Sequence, residues 1–433
     1  MTNKRLLILV KKFGTPLYVY DAQDIRARCR ALQNAFANLS PHIHYSVKAN
    51  SNLSILRLLY EQGLGFDIVS GGELARLQAA NIPTQEVSFA GVGKTHAEIE
   101  AALRAGIAFF NVESAPELAR IAEIAAALKI PARVLLRLNP NVDAHTHKFI
   151  TTGRAANKFG IDFETAAHLS DAFAAHSWLK ITGYHLHIGS QIQQIEPYLL
   201  AAEKTLAFIA ARRAAGQKVD WLSLGGGFGV PYEGQEEFSL DALAQKLHPL
   251  LNGQNLKLIL EPGRWLLARA GTLLMTVQYV KHSAGESTSR PHAERGNEKG
   301  GGKTFVIVDA GMNTFIRPAL YGGWHKIWPL HSSRRSMVGG QQSAAQDAPE
   351  LLKCDVVGPI CESTDVLAKD RLLPPVQAGN ILALSDAGAY GMVMASTYNS
   401  HPRPAEVLVD GDDYRLIRRR ETYQDLVALE MDV

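Results

Sequence analysis

Short apolar runs alternate with amphipathic helical patterns eight times between about residues 42 and 264. The runs are rich in valine, isoleucine, leucine or aromatic residues, which is typical of parallel strands covered on both faces. The segments between them have apolar residues three and four positions apart, and several begin at serine or threonine and end near glycine, as helices do. Eight units in this span predict a closed (β/α)8 TIM-like barrel rather than an open doubly wound sheet. The expected strands are HIHYSVKA, GFDIVS, EVSFAG, AFFNV, ARVLLRLNP, ITGYHLHIG, WLSLGGG and LKLILEPGR.

The residues on either side of this region have a different pattern. Strand-like runs follow one another without long helices between them, so we expect a second, all-β domain of sandwich or barrel form that also takes the N-terminal strand. The overall class is therefore α/β plus all-β, with the barrel at 35–275 and a discontinuous β-domain at 1–34 and 276–433. Two polar stretches, around 283–303 and 331–350, are too poor in large apolar residues to bury themselves and are expected to be exposed insertions. The runs of the β-domain are FGTPLYVYD, TLLMTVQYVKH, KTFVIVDAGM, LLKCDVVGPI, NILALSDAG and AEVLVDGDDYRLIRRR.

Composition and charge exclude several functional classes. The chain has 433 residues, of which 46% are hydrophobic, and its formal net charge of +3 is spread without a basic stripe, so no nucleic-acid partner is expected. The LLILV run between Arg5 and Lys11 is too short for a signal sequence or a membrane span. Three cysteines, Cys29, Cys354 and Cys361, form neither a disulfide framework nor a metal-ligand spacing. We expect a cytoplasmic protein without a metal, nucleic-acid or membrane partner.

Four short motifs end predicted strands of the barrel: YSVKAN after the first, HIGS after the sixth, GGGFG after the seventh and EPGR after the eighth. The C-terminal ends of barrel strands meet at one mouth, so we expect residues of all four motifs to converge on one ligand. Lys48 in the first motif would be desolvated there, which lowers the pKa of an amine and makes it available for a Schiff base. A lysine that merely extends its charged end to solvent remains the alternative for this residue alone.

The other three motifs supply candidate groups for a phosphate and a planar ring. Gly225, Gly226 and Gly227 follow the seventh strand, where this barrel commonly binds phosphate through backbone N–H groups, although glycine triplets are often simple turns. Glu261 ends the eighth strand, where a buried carboxylate needs a partner. That partner is either a protonated pyridine nitrogen or a basic group such as Arg264.

A histidine at the end of the sixth strand is a candidate for stacking on the ring of a planar cofactor. His187 is in the motif itself, and His185 lies two residues earlier on the same face of the strand. Both positions stay open, because a lone histidine is often structural.

The motifs together resemble the fold-type III pyridoxal-phosphate decarboxylases, and within that family the enzymes that act on diaminopimelate. Eight ordered motifs carry the resemblance over nearly the whole chain: FGTPLYVYD, YSVKAN, GFDIVSGGEL, HIGSQ, GGGFG, EPGR, CESTD at Cys361 to Asp365 and DAGAYG at Asp386 to Gly391. The resemblance implies a pyridoxal 5′-phosphate cofactor and a homodimer whose active site is shared across the interface. It also implies decarboxylation of meso-2,6-diaminopimelate to L-lysine and carbon dioxide, the last step of lysine biosynthesis.

The resemblance also implies a role for each matching residue. Lys48 is the Schiff-base lysine, His187 stacks on the ring and Glu261 pairs with the pyridine nitrogen. Cys361 is the proton donor and Glu362 a substrate contact, both delivered across the dimer interface. The remaining implied cofactor and substrate residues are Gly225, Gly226, Gly227, Gly263 and Arg264 for the phosphate, Arg264, Arg317 and Tyr321 for the substrate, and Tyr390 for both.

Chemistry of the side chains is consistent with these implied roles. A thiol is mostly protonated at neutral pH and can return a proton once, although a small buried hydrophobic residue is the commoner fate of a free cysteine such as Cys361. A distal carboxylate of the substrate would suit Arg317, whereas ornithine or arginine would need an acidic residue. Carboxynorspermidine or another amino acid remains the alternative substrate. Glu261 argues against a racemase, and CESTD and DAGAYG argue against a non-enzymatic carrier of the cofactor.

Overall fold

A computed structural model describes residues 1–143, 158–283, 302–330 and 351–431. The chain divides into two compact units, one of Met1–Asp21 with Ala270–Val433 and the other of Ala22–Arg269. The domain limits expected from the sequence, at 35 and 275, stay a prediction, and the helix that begins at Ala22 lies in the barrel unit. The two expected polar insertions fall almost entirely outside the described residues.

The N-terminal segment forms helix α1 (Asn3–Phe13) and strand β1 (Leu17–Asp21). Thr2 begins the helix, because its side chain accepts a hydrogen bond from the backbone N–H of Arg5. Leu6 and Leu9 lie three positions apart on one face and are buried in the core of this unit. The short LLILV run is therefore the apolar face of a helix that packs on the β-domain, which the expectation of an all-β domain did not include.

Eight parallel strands close into the predicted barrel, with the first strand paired to the last through His42 and Ile259. Each predicted apolar run overlaps one of them, so the barrel is confirmed. The strands are β2 (His42–Ser46), β3 (Gly65–Ile68), β4 (Val87–Phe89), β5 (Phe109–Val112), β6 (Ala132–Arg137), β7 (Leu179–His185), β8 (Trp221–Ser223) and β9 (Lys257–Leu260).

The helices between the strands begin where the sequence places cap residues. Ser70, Thr95 and Ser114 each accept a hydrogen bond from a backbone N–H in the first turn, and Thr95 forms a capping box with Glu98. No helix among the described residues is long and apolar enough to span a bilayer. The helices of this unit are α2 (Ala22–Ala35), α3 (Leu53–Glu61), α4 (Gly71–Ala79), α5 (His96–Ala105), α6 (Ala115–Leu128), α7 (Phe163–Ala172), α8 (Glu196–Ala214), α9 (Leu240–Leu251) and α10 (Arg264–Leu267).

The other unit is built on a mixed sheet that takes β1, as the sequence predicted. β1 lies between an antiparallel neighbour that begins at Gly271 and a parallel neighbour that begins at Ala405. The strands after the barrel are β10 (Gly271–His282), β11 (Thr304–Val308), β12 (Ile327–Pro329), β13 (Leu352–Val357), β14 (Val366–Leu373), β15 (Ile381–Leu384), β16 (Ala405–Asp410) and β17 (Asp413–Arg418), and the helices are α11 (Arg317–Tyr321) and α12 (Tyr423–Val427). Sequence reasoning missed β12 and β14, because one ends in a proline and the other has three charged residues at its centre.

Candidate active site

Lys48 lies in the short 3-10 turn Val47–Ala49 directly after β2, and a buried carboxylate lies beside it. Its Nζ is 3.3 Å from Oδ2 of Asp67 at the end of β3. The Lys48 side chain is 35% exposed, whereas that of Asp67 is 1% exposed. The amine is thus held at the barrel mouth by an ion pair and still reaches open space.

Asp67 is a site residue that sequence reasoning missed. Burial raises the pKa of its carboxyl, the Lys48 cation opposes that shift, and the nearby charge of Glu261 adds to it. Ser46 also donates its hydroxyl to Asp67 Oδ2, over 3.0 Å. The signal was a charged residue within the apolar run GFDIVS, because a charge on a doubly covered strand needs a partner.

The carboxylate of Glu261 lies at the barrel mouth within hydrogen-bond distance of three side chains. His185 Nε2 lies 2.9 Å from its Oε2, while its Oε1 accepts from the Ser223 hydroxyl over 2.8 Å and from the Asn111 amide over 3.5 Å. Burial by itself would raise the pKa of Glu261, but the charge and hydrogen bond of His185 and the hydroxyl of Ser223 hold that pKa well below its usual range. The carboxylate therefore stays ionised at neutral pH.

The two candidate histidines of the sixth strand have different surroundings. His185 bonds to Glu261, whereas Nδ1 of His187 is 3.4 Å from the donating backbone N–H of Gly226 in the glycine loop. Burial lowers the pKa of His187 well below its usual value, and the cations of Arg137 and Lys48 lower it further. His187 is accordingly a neutral, planar ring beside the glycine loop.

The glycine triplet is where three strand ends approach one another closely. A Cβ on Gly226 would lie 2.0 Å from the carbonyl oxygen of Glu261, and one on Gly227 would lie 2.2 Å from that of Gly189. Gly227 also has a φ of +96°, which residues with a side chain rarely adopt. The triplet is therefore required by packing between the loops after β7, β8 and β9. Its phosphate role stays a prediction.

EPGR completes the convergence of the four motifs. A Cβ on Gly263 would lie 3.1 Å from the Cβ atoms of Ser46 and Ala49, on either side of Lys48 in sequence. Arg264 donates from Nη2 to the Ser190 hydroxyl over 3.1 Å and from Nη1 to the Tyr232 hydroxyl over 3.4 Å. The structure thus brings together the residues predicted on the barrel: Lys48, His187, Gly225, Gly226, Gly227, Glu261, Gly263 and Arg264.

Two buried ion pairs were also missed from the sequence: one joins the ends of β5 and β6, and the other joins the loop after β4 to α6. Arg137 Nη1 is 2.6 Å from Glu113 Oε1, and Lys94 Nζ is 2.5 Å from Glu117 Oε1. Arg137 Nη2 also donates to the carbonyl of His187 over 3.3 Å. Ion pairs buried this deeply gain little net stability, but Arg137 also holds the backbone at His187 in place.

The predicted substrate residues of the other unit form two clusters within that unit. Arg317 begins α11, is 5% exposed, and has its guanidinium carbon 5.8 Å from the centre of the Tyr321 ring. Glu362 Oε1 accepts the Tyr398 hydroxyl over 2.6 Å, and the backbone N–H of Cys361 donates to Asn399 Oδ1 over 3.2 Å. Tyr390 has a left-handed φ of 55°, a conformation that is uncommon for residues other than glycine.

The three cysteines are free thiols with different exposure. Cys29 and Cys354 are buried, and burial raises the pKa of Cys29 to about 12 and that of Cys354 to about 11. Cys361 is exposed. The small-hydrophobe interpretation therefore suits Cys29 and Cys354 and does not suit Cys361.

The residues at the barrel mouth fit a phosphorylated aldehyde that carries a basic ring nitrogen. Lys48 supplies an amine, Glu261 an ionised carboxylate and His187 a neutral ring. Asp67 Oδ1 and Asn111 Oδ1 are buried and have no hydrogen-bond partner among the described residues, so a polar ligand would complete their bonding. Across the described ranges, no cluster of histidine, cysteine or acidic side chains is arranged to hold a metal ion.

Comparison with known proteins decides the family. The family described as "Pyridoxal-dependent decarboxylase, pyridoxal binding domain" matches residues 22–268, which is more than half of the chain. The chain belongs to the pyridoxal-dependent decarboxylase family. The resemblance inferred from its motifs is thereby confirmed.

Full-length relatives of this decarboxylase are similar over both units. The diaminopimelate decarboxylase of Neisseria meningitidis serogroup A is 46% identical over 98% of this chain and 96% of that protein. The one from Pseudomonas aeruginosa is 43% identical over 98% and 94%. The crystal structure of diaminopimelate decarboxylase from Helicobacter pylori complexed with L-lysine aligns with a TM-score of 0.87 at 39% identity, covering 98% of this chain and 99% of that one.

The stability of the barrel is expected to depend on pH through Glu73 of α4. Burial raises the pKa of Glu73 to about 7, although its Oε2 accepts the Val69 N–H over 2.7 Å. Because the folded state binds this proton more tightly than the unfolded state, the contribution to stability is present below pH 4.5 and is lost as the pH rises through about 7. The loss is about 3 kcal/mol at about 1.4 kcal/mol per pKa unit.

Glu73→Gln tests this dependence, because the amide can still accept from Val69 and does not titrate. Urea unfolding of the cofactor-free protein between pH 5 and 8 should show a free energy of unfolding that falls with pH in the wild type and falls less in the variant. Glu100→Gln is the matched control, since Glu100 lies on the surface of α5 and pairs only weakly with Arg104. Equal pH slopes in wild type and Glu73→Gln would contradict the prediction.

Proposed function

We propose that the protein is a pyridoxal 5′-phosphate-dependent lyase that decarboxylates meso-2,6-diaminopimelate to L-lysine and carbon dioxide, the last step of lysine biosynthesis. The observation that carries the proposal is the ionised, buried Glu261, held by His185 and Ser223 in the same barrel mouth as Lys48. Relatives with the printed name diaminopimelate decarboxylase support the choice of substrate. We also place the protein in the cytoplasm, because its three cysteines form no disulfide framework.

Residues of the barrel unit would hold the cofactor. When bound, pyridoxal phosphate supplies an electron sink for the electrons left by the departing carboxylate. Lys48 provides the amine that attaches it, and Asp67 orients and balances the charge of that amine. Glu261 would pair with the ring nitrogen, and His187 would pack against the ring. The phosphate is assigned to Gly225, Gly226, Gly227, Gly263 and Arg264, together with Tyr390.

Cys361 returns the proton to the carbon that loses carbon dioxide. Its thiol is exposed, and a positioned side chain that carries a proton can act as a general acid. We assign Cys361 and Glu362 of each chain to the active site of a second copy, so the working form is a homodimer. The exposed position of Cys361, Glu362, Ser363 and Thr364 on their own unit supports this assignment.

Arg317 and Glu362 select the substrate. The distal end of diaminopimelate is an amino-acid head with one carboxylate and one ammonium group. Arg317 binds the carboxylate with two parallel hydrogen bonds, and Glu362 takes the ammonium. Tyr321, Arg264 and Tyr390 complete the substrate contacts.

The test is to incubate the purified protein, loaded with pyridoxal phosphate, with meso-diaminopimelate and separately with L-ornithine, and to measure carbon dioxide and L-lysine. We expect lysine and carbon dioxide from diaminopimelate and little from ornithine. Arg317→Ala should raise the KM for diaminopimelate by about 10- to 100-fold, because a hydrogen-bonded charge contributes about 1.5–3 kcal/mol.

Two results would count against the proposed function. Product from another amino acid alone would overturn the substrate assignment and leave the decarboxylase chemistry intact. Unchanged kinetics in Arg317→Ala, with equal turnover of ornithine, would remove Arg317 from substrate selection.

A further inference from the structure

A fully buried histidine connects Arg317 to a second segment of the β-domain. His325 follows α11 and is 0% exposed. Its Nε2 is 3.4 Å from Nε of Arg317, and its Nδ1 is 3.0 Å from the carbonyl oxygen of Ser385. The ring of Phe315 meets the imidazole edge to face, with the ring centres 4.7 Å apart. The imidazole is therefore held from three sides.

These two partners select one tautomer of His325. The Ser385 carbonyl only accepts hydrogen bonds, so the imidazole Nδ1 must carry the proton. The guanidinium Nε–H of Arg317 only donates, so the imidazole Nε2 must keep its lone pair free to accept. A doubly protonated ring would place a second cation against a buried guanidinium. His325 is accordingly neutral and works as an acceptor for Arg317.

This acceptor sets the direction in which the guanidinium faces. The group is planar, so a hydrogen bond at Nε defines the orientation of the plane and of the edge formed by Nη1 and Nη2. That edge is the one that binds a carboxylate with two parallel bonds. Without the hydrogen bond at Nε, the Arg317 side chain would be ordered only when its ligand binds. The rotamer freedom lost at that moment weakens binding.

The contact with Ser385 ties the same histidine to the DAGAYG turn. Ser385 directly follows β15 and precedes Asp386, whose φ of 57° begins the turn that ends near Tyr390 at a φ of 55°. Backbone in this region is strained for residues with a side chain and persists only where neighbours hold it. One imidazole thus joins the helix of Arg317 to the turn of Tyr390.

We propose that His325 is a positioning residue for carboxylate recognition: it orients Arg317 and thereby makes the site selective for ligands with a distal amino-acid head. This inference rests on the proposed function, in which Arg317 binds that carboxylate. Sequence reasoning missed His325, because a histidine in GGWHKIW has no partner until the chain has folded.

L-Lysine and cadaverine together test the proposal, because cadaverine is lysine without the carboxylate. The ratio of their inhibition constants against the holoenzyme measures how strongly the site recognises that group. His325→Asn places an amide donor near the position of Nδ1 but has no acceptor at Nε2, whereas His325→Gln places an acceptor there. We expect His325→Asn to raise the inhibition constant of lysine about tenfold and to leave that of cadaverine unchanged. His325→Gln should restore most of the wild-type ratio of the two inhibition constants.

Controls separate positioning from general loss of structure. Arg317→Lys lacks an Nε–H, so adding His325→Asn to it should leave the lysine-to-cadaverine ratio unchanged. A wild-type ratio in folded His325→Asn overturns the inference. If His325→Asn does not fold, His325→Gln tests the inference instead, because that variant retains the acceptor. A folded His325→Gln that no longer discriminates between lysine and cadaverine would overturn the inference.

The same experiment distinguishes failure of this inference from failure of the proposed function. If the wild-type holoenzyme releases no carbon dioxide from diaminopimelate and binds lysine no better than cadaverine, the proposed function fails. If the wild type releases carbon dioxide from diaminopimelate and binds lysine better than cadaverine, and His325→Asn does the same, only the role of His325 fails.

Discussion

Replacing Lys48 with alanine is expected to abolish covalent attachment of pyridoxal phosphate and to lower the decarboxylation rate by about 10²- to 10⁴-fold, because the amine that forms the Schiff base is lost. Lys48 is the amine that the ion pair with Asp67 holds at the mouth. In the proposed function, this amine would also be needed to release the product from the cofactor. Alanine removes both contributions.

Lys48→Arg separates the charge of this residue from its covalent chemistry. Arginine keeps a cation near the buried Asp67, so it should preserve the stability of the cofactor-free protein, whereas alanine leaves a buried carboxylate without its cation and should destabilise it. Neither variant can attach the cofactor. Borohydride reduction followed by mass spectrometry of the peptide that contains residue 48 measures attachment directly. Attachment that survives in Lys48→Ala would remove the proposed mechanism.

Replacing Glu261 with glutamine is expected to lower kcat by about 10²- to 10⁴-fold. Breaking a buried ion pair costs about 3–5 kcal/mol, and each ~1.4 kcal/mol is tenfold in rate. Glutamine has nearly the same shape and can still accept from Ser223, but it has no negative charge to keep a ring nitrogen protonated. The cofactor should therefore still attach to Lys48 while its electron sink is weakened.

Ser223→Ala is the matched control for Glu261. It removes one hydrogen bond of 2.8 Å from the carboxylate and leaves its charge, so we expect a loss of about 1 kcal/mol, or less than tenfold in kcat. Steady-state kinetics at saturating cofactor, with cofactor attachment measured in parallel, separates the two variants. A Glu261→Gln enzyme with wild-type kcat would exclude the carboxylate as the partner of the ring nitrogen.

Local pattern determined much of this protein. The short apolar runs, and the apolar residues three and four positions apart between them, predict strands and helices from neighbouring residues alone, and eight repeats of that alternation imply closure. The order of YSVKAN, HIGS, GGGFG and EPGR then places Lys48, His187, the glycines and Glu261 at one mouth. The N-terminal strand was also predictable, because FGTPLYVYD is a strand run with no βα unit of its own.

Tertiary structure alone decided which groups control those residues. Asp67 beside Lys48, His185 on Glu261, and His325 on Arg317 are separated in sequence by 19, 76 and 8 residues. A polar residue in an apolar run indicates that a partner exists, but the partner depends on barrel closure and sheet register. The sequence by itself determined the fold and the chemistry available. Folding decided the charge state and orientation of each group, because burial and long-range hydrogen bonds set both.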